Sequence, residues 1–102
     1  MLSDEQFLLA KIVEECAEVQ HIALKAMQFG LDEQHPELDH NNLERLRFEL
    51  TDLLNTIEIF DRRFDRCLQP LQPPGSLEAK AAKLKKYKEY SHTLGMVKYP
   101  DL

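Results

Sequence analysis

Residues 8–29, LLAKIVEECAEVQHIALKAMQF, carry an apolar repeat with a carboxylate in its middle. Leu8, Ile12, Val19, Ile22, Ala26 and Phe29 recur at alternating steps of four and three, the spacing of one face of an α-helix. One step of the series is missing, and the residue that occupies it is Glu15, with Glu14 and Glu18 close by. A seam that packs against another helix ordinarily holds an aliphatic side chain there. Ser3 followed three residues later by Gln6 is a capping-box pattern and starts the helix near Asp4; Gly30 is a natural stop. The expected helix covers residues 4–29 and is about 39 Å long at roughly 1.5 Å per residue.

Outward from this stretch, LDEQHPELDHN (31–41) is polar, contains Pro36 and reads as a loop. Asn41 with Glu44 repeats the capping pattern. A second helix over about 42–67 carries Leu43, Leu46, Leu50, Leu53, Ile57, Phe60 and Phe64, again three and four apart. It must end before QPLQPPG (69–75), where three prolines and a glycine forbid continuation. Ser76 can cap a third helix over about 77–93, which Gly95 terminates, and MVKYPDL is a tail. The apolar positions of this helix, Leu77, Ala81, Leu84 and Tyr87, are sparser. No repeat and no strand pattern is evident. The expectation is one all-α domain over residues 1–102: a long antiparallel helical hairpin plus a shorter third helix. The stripe of Leu46, Leu50, Leu53, Ile57 and Phe60 exceeds what that third helix can cover. A homodimer with a four-helix-bundle core, or a dimer of dimers, is therefore expected.

The chain has a formal net charge of −5, which argues against nucleic acid polymer as the main partner. Hydrophobic residues make up 43% and charged residues 30%, a globular composition. Residues 1–69 hold fifteen acids against seven bases, and residues 70–102 three acids against six bases. Such a division suits a metal in one part and phosphate in the other, or simply two solvated surfaces. Cys16 and Cys67 lie in apolar helical patterns outside any CxxC motif and read as reduced, partly buried thiols. The N-terminal stretch lacks a basic region followed by an apolar run, and no segment approaches a membrane span. A cytoplasmic protein with no membrane partner is expected.

The second helix carries its own acidic pair in RFELTDLLN: Glu49 and Asp52, three apart and so on one face. Glu15 and Glu18 have the same spacing on the first helix. Taken alone, each pair is ordinarily a solvated helix face. Together, beside the apolar seams of two consecutive long helices, antiparallel pairing can bring four carboxylates to one point. Their repulsion and desolvation are most simply relieved by a hard divalent cation, Mg²⁺ or Mn²⁺.

EECAE (14–18) followed by ELTD (49–52) resembles the EExxE…ExxD signature of the MazG-like all-α nucleoside triphosphate pyrophosphohydrolases. The resemblance extends to the flanks IVEECAEV, KAMQFGLDE and NLERLRFELTDLL and to the terminal AKAAKLKKYKEYS, and is nearest to the short single-domain bacterial and phage members. The segment between Glu18 and Glu49 is longer than is usual in that family. The resemblance implies Mg²⁺-dependent cleavage of a nucleoside triphosphate between its α and β phosphates, giving monophosphate and pyrophosphate. It implies Glu15, Glu18, Glu49 and Asp52 as metal ligands. Glu14 would support a ligand, be a further ligand, or be the base that orients the attacking water. Lys25, Lys80 and Lys83 are candidate phosphate contacts, each equally readable as a surface charge. Tyr87 could pack on the base or bond a phosphate, and Asn55 could read the sugar or base. Lys11 would screen the acidic cluster.

Two other readings fit the same residues. Glu18 and His21 have the ExxH spacing of di-iron carboxylate bundles. The other such pair, Glu37 with His40, falls in the loop, and His21, His35, His40 and His92 are more simply surface residues. The acids could also serve only as the surface of a non-catalytic helical dimerisation module.

Overall fold

In the computed structural model, which describes residues 1–99, three α-helices follow one another: α1 (Asp4–Phe29), α2 (Asn42–Phe64) and α3 (Ser76–Thr93). There is no strand among the described residues, and no helix is long and apolar enough to cross a membrane. The last three residues of the MVKYPDL tail lie outside the described residues. The chain divides into two compact units, Met1–Cys67 and Leu68–Leu102.

The first unit is the α1–α2 hairpin, and its helix starts are set by the two capping boxes. Ser3 Oγ accepts from the Gln6 N–H at 3.1 Å while the Ser3 N–H donates to Gln6 Oε1 at 2.9 Å. Asn41 and Glu44 exchange the corresponding pair at 2.9 and 3.2 Å. Each satisfies backbone donors that a helix start leaves open. Gly30 ends α1 with a φ of 99°, a backbone position that favours glycine. α2 stops at Phe64, short of the expected Cys67, because Asp65 turns left-handed (φ 50°) and Cys67 does the same (φ 59°). Aspartate tolerates this conformation better than most residues.

The helices run antiparallel. At one end Arg63 reaches Asp4 at 3.4 Å and Arg66 reaches Glu5 at 2.6 Å. At the other, the Leu43 N–H donates to the Leu31 carbonyl at 2.9 Å and the Asn42 N–H to the Glu33 carbonyl at 3.0 Å. Between these ends the expected seams meet. Ile22 (2% exposed) and Phe60 (6%) are the buried hydrophobic residues among those described, each worth about 1.5–3 kcal/mol of burial. Leu8, Ile12, Val19, Ala26, Leu46, Leu53, Ile57 and Phe64 are half-buried around them.

This overturns one expectation. Leu46, Leu53, Ile57 and Phe60 are not left uncovered; they are the hairpin's own seam. Six uncovered apolar side chains lie one residue past a covered position: Leu9, Val13 and Met27 on α1, Leu43, Leu50 and Leu54 on α2; Phe7, Leu24, Phe29, Phe48 and Ile59 are exposed elsewhere on the two helices. One residue is a rotation of roughly 100° about the helix axis. In two antiparallel right-handed helices, that rotation carries both sets to the same side of the hairpin. The residues one position before the seam fall on the opposite side and are mostly charged: Lys11, Glu14, Glu18 and Lys25 on α1, Arg45, Asp52 and Arg63 on α2. One side of the hairpin is thus richer in apolar residues and the other in charge, although Phe7, Phe48 and Ile59 are exposed on the charged side and Arg47, Glu58 and Asp61 fall on the apolar one. Cys16 falls beside the apolar stripe, and both thiols are free and exposed rather than partly buried.

In the second unit, α3 begins without the expected serine cap. Gly75 (φ 86°) holds the N-cap position, with no side-chain hydrogen bond, and Ser76 is already helical. The end of α3 is a full Schellman arrangement: the Gly95 N–H donates to the His92 carbonyl at 2.9 Å and the Met96 N–H to the Ser91 carbonyl at 3.0 Å. Gly95 supplies the positive φ of 76° that this closure requires. No α3 side chain is buried, in keeping with its sparse apolar pattern.

Candidate metal centre

Glu15 stands on the seam of α1 and Glu49 on the seam of α2, and Asp52 follows Glu49 by one turn at the charged edge. Antiparallel pairing brings one carboxylate oxygen of each to within 4.8 Å of the others. Glu15 and Glu49 are half-buried and Asp52 is exposed. The seam's missing aliphatic residue is therefore part of an acid cluster between the two helices.

The cluster is electrostatically uncomfortable. Partial burial holds the Glu49 carboxyl above the ordinary glutamate range, and the charges of Glu18, Asp52 and Glu15 push it the same way. Arg45, four residues earlier on α2, opposes them. Glu18 is exposed and stands outside the trio, yet its charge is the largest of those raising Glu49. Glu14 also stands outside it. Its carboxylate accepts a 2.9 Å hydrogen bond from Lys11 Nζ, which raises the lysine's pKa, with a further contribution from Glu15. Lys11 accordingly lies where it can screen the cluster.

A trio of oxygen donors, without histidine or thiol, fits a hard divalent ion. Glu18 is not one of the trio, and its effect there is that of a neighbouring charge on Glu49. Such an ion would offset the charges of Glu18, Asp52 and Glu15 that add to the effect of burial on Glu49. His21, the residue a di-iron motif would use, is exposed and lies outside the cluster.

The remaining candidates fall in both units. Asn55 is exposed one turn beyond Asp52. Lys80, Lys83 and Tyr87 are exposed on α3, in the second unit. Lys25 lines a pocket of about 340 Å³ at the loop end of the hairpin. Phe29 and Leu38 form apolar wall there, and Arg45, Asn42 and Glu33 add polar groups. Lys25 Nζ lies 5.6 Å from the Phe29 ring centroid, a cation–π arrangement. Asn42 is 1% exposed; its side-chain amide donates to the Gly30 carbonyl and to Glu33 Oε2, both at 2.8 Å. Sequence reasoning passed over Arg45, Asn42 and Glu33. Arg45 had a legible signal, since it precedes Glu49 by one turn. Asn42 reads as an ordinary first-turn residue until the loop folds back on it.

No protein-family model, curated protein or solved structure matches the chain.

Proposed function

We infer that the chain is a Mg²⁺-dependent nucleoside triphosphate pyrophosphohydrolase of the MazG-like type, with Mn²⁺ as a substitute ion. The observation that carries this reading is the convergence of Glu15, Glu49 and Asp52 from two helices within 4.8 Å. These three residues hold the ion, with Glu18 beside them. The bound ion supplies charge neutralisation on the phosphates and acidifies coordinated water. The chain's own contribution is to hold the carboxylates in place. Glu15 and Glu49 are set by the hairpin seam, and Glu14 is kept to the side by Lys11. Lys25 and Arg45 supply positive charge on the same face for the anionic substrate.

The apolar face of the hairpin supports a homodimer, or a dimer of dimers. Leu9, Val13, Met27, Leu43, Leu50 and Leu54 are exposed on one side, away from Glu18 and Asp52. Pairing two such faces makes a four-helix core and leaves the charged face open to substrate. A di-iron site gains no support from a cluster that holds no histidine. A purely structural module leaves the half-buried carboxylates without a role.

The experiment is release of pyrophosphate and monophosphate from the canonical ribo- and deoxyribonucleoside triphosphates by the purified chain. Release is expected with millimolar Mg²⁺ or Mn²⁺ and not with EDTA. Absence of release from every triphosphate with either ion overturns the reading.

A further inference from the structure

Along the charged face of the hairpin, three kinds of surface follow one another. The acid trio comes first. Arg45 follows, four residues and about 6 Å of helix rise from Glu49. Its nearness has an electrostatic signature, for Arg45 is the cation that pulls down on the Glu49 carboxyl. Lys25 lies two turns beyond Glu18 on the same edge of α1. Both cations also line the loop pocket, whose apolar wall is Phe29 and Leu38. The order is metal-binding acids, then fixed positive charge, then a pocket whose apolar wall is flanked by Glu33, His35, Glu37 and Asn42.

That order is the order of parts in a nucleotide: polyphosphate, the phosphate next to the sugar, then the flat base. The pocket, about 340 Å³, lies at the small end of the range for ligand sites. The triphosphate tail must leave it past Arg45 toward the acids.

Of the polar groups on the pocket wall, the Asn42–Glu33 pair is preset. Asn42 is almost wholly buried, and its amide donates to both the Gly30 carbonyl and Glu33 Oε2. The Glu33 carbonyl in turn accepts from the Asn42 N–H at 3.0 Å. Glu33 is thus held at its backbone and at Oε2, and Oε1 has no hydrogen-bond partner among the described residues, so it is free to accept. An ionised carboxylate only accepts hydrogen bonds. Cytosine and adenine offer an exocyclic amino donor, and guanine offers one beside a ring N–H. Uracil and thymine place carbonyl oxygens on both sides of their one ring N–H, and a carboxylate repels those oxygens.

We propose that the loop pocket takes the nucleoside end of the substrate and that Glu33 selects a base carrying an amino group over uracil or thymine. This rests on the reading of the acid cluster as the triphosphate's metal site. Arg45 anchors the phosphate nearest the sugar.

Glu33→Gln tests it, because the side-chain oxygen can still accept from Asn42 while the new amide adds a donor. With the full chain and saturating Mg²⁺, kcat/KM for CTP, ATP or GTP relative to UTP is expected to fall by about tenfold or more. Arg45→Met is expected to raise KM by about tenfold, with a smaller change in kcat. In parallel, equilibrium dialysis with CMP, AMP, GMP and UMP in EDTA reads the pocket without the metal. Wild-type protein is expected to retain an amino-bearing monophosphate in preference to UMP, and Glu33→Gln to abolish the preference. An unchanged base ratio in an active Glu33→Gln variant overturns the pocket proposal and leaves the pyrophosphohydrolase reading standing. Wild-type preference for UTP overturns it equally, as does failure to retain any monophosphate. Selective monophosphate retention that Glu33→Gln abolishes, in a protein that hydrolyses no triphosphate, supports the pocket and removes the hydrolase reading.

Discussion

Glu15→Gln separates the structural and chemical roles of the acid cluster. In the apo protein the substitution keeps shape and removes one charge from a trio whose oxygens lie within 4.8 Å of one another. Two of the three repulsive pairs vanish. At this separation each pair costs about 1 kcal/mol in water-like dielectric and more where water is excluded. Asp52 is exposed, so the cost stays near the lower limit. The apo variant is therefore expected to gain about 1–2 kcal/mol, a rise of several degrees in Tm for a domain of this size. With Mg²⁺ the sign reverses, because a charged ligand has been replaced by a neutral amide. Mg²⁺ affinity and turnover are expected to fall by about 100-fold or more. Asp52→Asn is expected to behave alike, and the double variant to lose far less than the product of the single losses, since both groups serve one site. The assays are apo melting, Mg²⁺ titration followed by melting, and pyrophosphate release. A Glu15→Gln protein that melts lower without metal yet turns over normally with Mg²⁺ refutes the metal-centre argument.

The cluster also predicts a pH dependence. The raised Glu49 pKa means that the folded apo chain binds more protons than the unfolded chain between the ordinary glutamate value of 4.5 and Glu49's own raised value. This contribution is fully present below the ordinary value and is lost as pH rises through the folded pKa; Glu49→Gln or saturating Mg²⁺ is expected to remove it from urea-denaturation curves. Glu44 acts in the opposite sense: its cap hydrogen bond to Asn41 lowers its pKa, so its contribution is present above 4.5 and lost as pH falls through the lowered value. Comparing Glu44→Gln with Glu49→Gln across the acid range checks both signs. Leu54→Glu on the apolar face is expected to convert a dimer to monomers in light scattering while α-helical circular dichroism persists; a wild-type chain that is a stable monomer at micromolar concentration refutes the dimer. Asn42→Ala withdraws the donor from the Gly30 carbonyl and from Glu33, and is expected to cost about 1–3 kcal/mol in urea denaturation.

The helices were legible in the sequence because their signals are local. The four-and-three spacing, the Ser3–Gln6 and Asn41–Glu44 capping boxes, Gly30 and the prolines after Gln69 each act within a few residues of themselves. They placed the starts of α1 and α2 and the all-helical character. Where local signals competed, the outcome differed. Ser76 had the chemistry of a cap, but Gly75 took the position, and Asp65 ended α2 earlier than the apolar repeat implied. The acids of the candidate site stood out because Glu15 breaks a seam, a defect visible without any partner. Tertiary structure alone decided which carboxylates meet. It gathered Glu15, Glu49 and Asp52, placed Glu18 at the margin, and tied Glu14 to Lys11. It also decided which apolar stripe is consumed. Leu50 and Leu53 look equivalent in the repeat, yet the hairpin half-buries Leu53 and leaves Leu50 exposed. The pocket was invisible in the sequence, because Asn42 acquires its meaning only when the loop folds back to offer it Gly30 and Glu33. Contacts of this kind depend on the rotation and register of one helix against another. Those are fixed by the sum of packing across the whole interface, and no short stretch of sequence encodes them.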